Sequence, residues 1–136
     1  MNRRRVLRLC GATLAATVSA GCSATGGSDG AKRISMNDDF EFDPKRSTIS
    51  AGTTVRWRND SAVGHTVTAY NDEIPSDAAY FASGGFESET AARNDISGGL
   101  IASGDTYEHT FELSGTYEYV CIPHESSEMT GTVVVE

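Results

Sequence analysis

Short runs of alternating apolar and polar residues constrain the fold of this chain more than any other feature. In residues 53–58, Val55 and Trp57 alternate with polar or charged side chains, and residues 106–113 and 130–135 show a similar period of two. Because neighbouring side chains of a strand point to opposite faces, this pattern predicts strands with one buried face. The predicted strands comprise residues 34–42, 48–49, 53–58, 65–70, 106–113, 116–121 and 130–135.

Turns of Gly, Asn, Asp and Ser separate these runs, and such short strands favour an all-β fold. Seven or eight strands predict a Greek-key β-sandwich. Residues 76–104 are irregular, with a short helix expected near residues 78–82. A chain of 136 residues has room for one ordinary domain. We place this domain at residues 34–136.

The N-terminus has the outline of an export signal. Several arginines lie within residues 3–8, an uncharged stretch covers residues 9–21, and the first acidic residue is Asp29. This stretch is shorter than the roughly 20 apolar residues that a membrane-spanning helix needs. Residues 3–8 read RRRVLR, which resembles the twin-arginine export pattern. We therefore interpret residues 1–21 as a twin-arginine signal rather than as a buried helix.

A lipid attachment site is expected at Cys22. Residues 19–22 read SAGC and resemble a lipobox, although Ser19 stands where Leu or Val is usual. Gly and Ser are frequent in residues 22–33, which favours a flexible tether. We expect an exported protein anchored through Cys22 to the outer face of the cell membrane. Without the lipid, the same segment would be a disordered tail.

Removal of the signal leaves a strongly acidic chain. All 19 Asp and Glu remain with 7 of the 11 Lys and Arg, which gives a net charge of −12. Such a charge repels nucleic acid. It could attract a basic partner protein or adapt the surface to a salt-rich medium, and the even spread of carboxylates favours the second interpretation.

One cysteine remains to be explained. Cys10 leaves with the signal and Cys22 would be acylated, so the mature chain keeps a single free thiol, Cys121, in an oxidising compartment. Cys121, His124 and Met129 lie within nine residues between two predicted strands. Two imidazoles, a thiolate and a weak axial thioether form a blue copper centre. The loop therefore supplies every donor of such a centre except the second imidazole.

The chain has three histidines, and two of them suit such a centre. His109 shares its strand face with Tyr107 and Phe111, which indicates a partly buried core residue. His65 instead follows a Val63-Gly64 turn, where a strand begins. The predicted ligands of one type 1 copper per chain are His65, Cys121, His124 and Met129. Each has an ordinary structural explanation alone, but the four together indicate a metal site.

Two motifs carry a family resemblance. The segment GTY at residues 115–117 leads into the pattern C-x2-H-x4-M-x-G at residues 121–131, and His65 is followed nine residues later by the pair IP. Residues 34–136 resemble a plastocyanin-type cupredoxin, most closely the halocyanins, which are lipid-anchored blue copper proteins of salt-loving archaea. The resemblance implies a single-electron carrier rather than an enzyme, with redox proteins of a membrane electron-transport chain as partners and no small-molecule substrate.

Three departures from plastocyanins imply different partner recognition. Val120 stands where they usually place Tyr, Asp72 and Glu73 are all that remains of the acidic docking cluster of plant members, and residues 126–128 read SSE in place of a Gly-rich stretch.

An electron exit is expected at His124, which lies mid-loop beside Ile122 and Pro123. With the Val63-Gly64 turn these residues would form a small apolar docking patch. The alternative is exit elsewhere, near Tyr119 and Asp72.

Two other functions stay open on sequence grounds: a copper chaperone or storage protein, and a metal-free adhesion sandwich. The second leaves Cys121 without a purpose. The triplet Asn59-Asp60-Ser61 fits an N-glycosylation site and equally a polar turn.

Overall fold

The computed structural model describes residues 31–136, so the predicted signal, Cys22 and most of the predicted tether lie outside the described residues. Eight strands make up most of the regular structure. They are β1 (Lys32–Met36), β2 (Phe42–Asp43), β3 (Arg46–Ile49), β4 (Thr53–Asn59), β5 (Thr68–Ala69), β6 (Thr106–Phe111), β7 (Gly115–Val120) and β8 (Thr130–Val135). A short helix, α1, spans Glu89–Asn94, and 3-10 turns span Asn71–Glu73, Ile96–Gly99 and Ile122–Ser127.

The strands form two four-stranded sheets with the orders β2-β1-β4-β6 and β3-β8-β7-β5. β1 pairs with β4 and β3 with β8 in parallel, whereas the other pairs are antiparallel. The two sheets enclose one apolar core, as expected of a β-sandwich. The predicted fold class is therefore confirmed.

Aromatic side chains dominate this core. Trp57 is fully buried and its ring meets that of Tyr119 edge-on at 5.4 Å between centroids, while Phe81 stacks on it at 6.0 Å. Val55 and Trp57 both face inward, as their alternation predicts. The core extends along β7 to Cys121, so the packing that stabilises the sandwich also supports the end of that strand.

Several elements differ from the sequence predictions, and the predicted strand at residues 34–42 is divided into β1 and β2 by a turn. The helix expected at residues 78–82 is wrong: Phe81 accepts a backbone hydrogen bond from Ala69, and Ala82 bridges to Thr68, so these residues extend a sheet edge. The helix lies instead at α1, where the Ser88 hydroxyl caps it by accepting from the Ala91 N–H.

The predicted strand at residues 65–70 is reduced to β5 and an isolated bridge between His65 and Ile101. β1 begins at Lys32, two residues before the predicted start of the domain. Within residues 31–136 no helix has the length and apolar character that a membrane crossing requires.

Candidate metal centre

Three of the four predicted ligands converge at one end of the sandwich. The candidate ligand atoms of His65, Cys121 and His124 all lie within 4.8 Å of one another. The Cys121 Sγ is 3.6 Å from His65 Nδ1 and 3.3 Å from His124 Nδ1. Both imidazoles thus present the same ring nitrogen to the thiol.

Cys121 directly follows β7 and is fully buried. Its Sγ accepts a hydrogen bond from the Thr66 backbone N–H at 3.4 Å. Burial raises the pKa of the Cys121 thiol, and the Thr66 N–H partly opposes this rise. A metal cation at the same point would favour the thiolate.

His65 is held by the segment that carries Ile101. Its backbone N–H donates to the Ile101 carbonyl at 3.3 Å, and the Ile101 N–H donates back at 2.7 Å. The ring is fully buried, and its Nε2 lies 2.9 Å from the Ser61 hydroxyl. Burial lowers the pKa of His65, and repulsion from His124 lowers it further, which favours the neutral ring that binds metals.

His124 lies in the 3-10 segment Ile122–Ser127 and is half-buried. Its backbone N–H donates to the Cys121 carbonyl at 3.1 Å. The segment ends at Glu128, whose positive φ of 63° reverses the chain toward β8. This tight turn returns the loop to the metal centre.

Met129 lies beside these residues. Its carbonyl accepts from the Cys121 N–H at 2.9 Å, and its N–H donates to the His124 carbonyl at 3.3 Å. The side chain is fully buried in the core cluster. Its backbone therefore adjoins two of the three converging residues.

His109 lies outside the converging group, on β6. Its half-buried ring stacks on Phe81 at 4.8 Å between centroids and meets Phe111 edge-on at 4.7 Å. Burial lowers the pKa of His109. It is a partly buried residue packed against core aromatic rings, as its strand face predicts.

The donor chemistry fits copper. A buried thiol and two neutral imidazoles are soft and borderline donors, which suit Cu(I) and Cu(II) and offer no oxygen shell for Mg²⁺ or Ca²⁺. The family model "Copper binding proteins, plastocyanin/azurin family" matches residues 30–136. The chain belongs to this family. Plastocyanin/azurin proteins of this type bind one type 1 copper and carry electrons to redox protein partners, and they are not enzymes.

Individual relatives agree with the family match. Plastocyanin from Scenedesmus fuscus is 36% identical over 95 residues, covering 70% of this chain and 86% of its own length. Chloroplastic plastocyanin from Chlamydomonas reinhardtii is 33% identical over 128 residues, covering 92% of this chain and 75% of its own.

Solved structures agree with the fold. A purple cupredoxin from Nitrosopumilus maritimus superposes with a TM-score of 0.57 at 26% identity, covering 77% of this chain and 99% of its own. An oxidised amicyanin variant superposes with a TM-score of 0.54 at 25% identity, covering 79% and 84%. The recognition of a plastocyanin-type blue copper protein is therefore confirmed.

An ion-pair network that sequence analysis missed holds the loop that carries His124. Arg93 of α1 donates through Nη1 and Nη2 to the Glu125 carboxylate at 2.8 and 3.1 Å, and through Nε to Glu89 at 2.8 Å. The Tyr70 hydroxyl also donates to Glu125, at 2.9 Å. Burial and this bond raise the pKa of Tyr70 to about 12, while Arg93 lowers the pKa of Glu125. The network joins α1 to the residue after His124.

Ser61 and Phe40, which contact His65 and His124 respectively, were also not predicted. In the sequence, Ser61 stands out only as part of the Asn59-Asp60-Ser61 triplet. Phe40 carried no signal, because its position depends on a backbone φ of 60° in the turn after β1.

Proposed function

We propose that this protein is a type 1 blue copper electron carrier in which His65, Cys121 and His124 bind the metal and Met129 supplies a weak axial ligand. The observation that carries this proposal is the buried Cys121 thiol lying 3.3 and 3.6 Å from two imidazole nitrogens. Bound copper supplies a one-electron Cu(I)/Cu(II) couple that such ligands stabilise in both states.

The contribution of the chain is a site that rearranges little. His65 is fixed by its backbone bonds to Ile101, and Cys121 by the Thr66 N–H and by pairing with Met129. His124 sits in a turn closed by its own backbone bonds. Ligands that are held before an electron arrives need little reorganisation when it does.

A copper chaperone or storage protein is the alternative. Metal transfer requires donors that a receiving protein can reach, whereas Cys121 and His65 are both 0% exposed. We expect the copper-loaded protein to take one electron per copper from ascorbate and pass it to ferricyanide, with no copper captured by a chelator on that timescale. Copper capture that outpaces electron transfer would favour the chaperone.

We propose that electrons leave through His124 at the patch formed by His124, Ile122 and Pro123. His124 and Ile122 are half-buried and Pro123 is exposed. Two exposed apolar side chains lie at the segment that leads to His65: Val63, which is 42% exposed, belongs to it, and Leu100, which is 47% exposed, lies beside Gly64. Such a patch permits close approach of a redox partner without tight binding.

We also propose that the protein is exported through the twin-arginine route and tethered through Cys22 to the outer face of the membrane, where its partners are proteins of the electron-transport chain. The support is residues 3–8 and residues 19–22. Changing both Arg3 and Arg4 to Lys should trap the precursor inside the cell. Cys22→Ala should move the mature protein to the soluble fraction. Wild-type protein found only there, with a free N-terminus beyond Cys22, would exclude the anchor.

We also propose that the protein is closely related to the halocyanins and works in a salt-rich medium. The support is the net charge of −12 that the chain has after removal of the predicted signal, together with the predicted anchor. Unscreened carboxylates repel one another, so the melting temperature should fall as salt is withdrawn. Copper should offset part of that fall by binding only the folded state. A melting temperature that is equal in dilute and molar salt would contradict the halophilic interpretation.

A further inference from the structure

The side-chain amide of Asn59 has one possible orientation. Asn59 is 0% exposed, and its Nδ2 donates to the carbonyls of Val63 at 2.7 Å and Ile101 at 2.8 Å. The flipped amide would place its oxygen against these two carbonyl oxygens, which cannot donate. The Asn59 Oδ1 therefore points the other way, toward Ser61.

Two groups of Ser61 contact this oxygen. Its backbone N–H donates to Asn59 Oδ1 at 2.9 Å, and its hydroxyl oxygen lies 2.7 Å from the same atom. The hydroxyl is also 2.9 Å from the Val63 carbonyl and 2.9 Å from His65 Nε2. Asn59 Oδ1 and the Val63 carbonyl can only accept, whereas His65 Nε2 can accept or donate. If the single hydroxyl hydrogen went to Nε2, both oxygens would face Oγ with no hydrogen between them, so the hydrogen goes to one of the two oxygens.

The direction of the last bond follows. With its hydrogen used, the Ser61 Oγ can only accept from His65, so Nε2 carries the ring proton. In a neutral imidazole the other nitrogen then holds a lone pair. That nitrogen, Nδ1, faces the Cys121 Sγ at 3.6 Å.

We propose that Asn59 and Ser61 are positioning residues that fix His65 in the Nε2–H tautomer before copper binds, so that its donor atom is preformed. The proposal rests on the proposed function of His65 as a copper ligand. Ligating histidines are commonly held by such a bond from the second ring nitrogen. Here a buried side-chain pair supplies it.

The same contacts account for the N-x-S triplet. Both Nδ2 hydrogens of Asn59 are engaged inside the protein, so the folded chain offers no amide for glycosylation. Of the two interpretations of Asn59-Asp60-Ser61, the turn agrees with the structure, and the turn orients His65.

Long-range proton–nitrogen NMR correlations of the copper-free protein test the tautomer directly. We expect wild-type His65 as the Nε2–H tautomer, and a mixture of tautomers in Ser61→Ala, which removes the acceptor. Copper affinity should fall roughly tenfold in that variant. Ser61→Thr keeps a hydroxyl and should keep the wild-type tautomer.

Ser83→Ala is the matched control. Ser83 is 3% exposed, as Ser61 is, and its hydroxyl accepts from the Val67 N–H at 3.0 Å and donates to the Gly99 carbonyl at 2.6 Å. Its loss should lower stability while leaving the His65 tautomer and copper affinity near wild type.

An Nδ1–H tautomer in the wild-type copper-free protein would overturn the proposal, even if no Ser61 variant folds. Equal effects of Ser61→Ala and Ser83→Ala on tautomer and copper affinity would overturn it too. Because the tautomer is measured without copper, a failure of the proposed electron-carrier function appears separately, as a fixed tautomer in a protein that does not turn blue.

Discussion

The ring of Phe40 lies nearly parallel to the imidazole of His124, with 4.4 Å between ring centroids and 17° between planes. The same ring meets His65 edge-on at 6.4 Å. Phe40 follows β1, whereas His124 lies between β7 and β8, so the contact joins two segments that are far apart in sequence beside the candidate metal centre. One face of the half-buried His124 ring is thereby closed to water.

Phe40→Leu should lower the reduction potential. More water at His124 favours the oxidised site, which has the higher net charge. An aromatic pair contributes about 0.5–1.5 kcal/mol beyond its buried area. If all of this energy were lost from one oxidation state only, the reduction potential would change by roughly 20–60 mV, at 59 mV per tenfold change in the equilibrium constant, so we expect a decrease no larger than that. Cyclic voltammetry measures this, with Phe86→Leu as a control at a half-buried ring elsewhere. Equal potentials in both variants would show that Phe40 only fills space.

Arg93→Gln should loosen the ligand loop with little change in global stability. The Arg93 and Glu125 side chains are 33% and 38% exposed, so the bidentate pair contributes only about 0.5–1 kcal/mol. That loss corresponds to roughly two- to fivefold faster amide exchange at Glu128 and Met129, if these amides exchange by local opening.

Arg56→Gln is the control for Arg93→Gln, since it removes a similarly exposed ion pair with Glu108 on the other sheet. It should leave the loop amides unchanged. Unaltered exchange in Arg93→Gln, or equal acceleration in both variants, would exclude a specific effect of the network.

Met129→Leu should keep the blue colour and raise the reduction potential. The colour comes from the thiolate, whereas loss of a weak axial donor destabilises Cu(II) more than Cu(I). Leu fills a similar buried volume, so the fold should persist. A potential that is unchanged or lower would remove Met129 from the proposed ligand set.

Ile122→Lys tests the exit patch, because Ile122 supplies no ligand atom and its side chain is partly exposed to solvent. We expect a nearly unchanged spectrum and potential but a markedly slower electron transfer to the natural partner. Asp72→Asn, at an exposed position in the 3-10 turn after β5, should alter mainly the salt dependence of association. A normal rate for Ile122→Lys combined with a crippled Asp72→Asn would exclude exit at His124.

The strands and the convergence of three predicted residues followed from local chemistry. Val55 and Trp57 reveal their strand by alternation, and Cys121 and His124 are close in sequence, so their convergence needs only one loop. His65 could be found because His109 shares a strand face with core aromatics. In each case the signal lay within a few residues.

What sequence analysis missed depends on contacts between distant segments. Phe81 and Ala82 have no local reason to prefer an extended backbone, and pairing with residues of the β5 edge decides it. The orientation of Asn59 requires the carbonyl of Ile101, 42 positions away. Arg93 likewise reaches Glu125 only because the fold places α1 beside the loop.

The visible spectrum of the copper-loaded protein, compared with that of Cys121→Ser, tests the central claim most directly. We predict an intense blue band that ascorbate bleaches in wild type and that is absent from Cys121→Ser, because the colour requires a thiolate bound to copper. A colourless copper-loaded wild type, or a blue band that persists in Cys121→Ser with copper bound, would contradict the assignment of Cys121 as the ligand of a type 1 site.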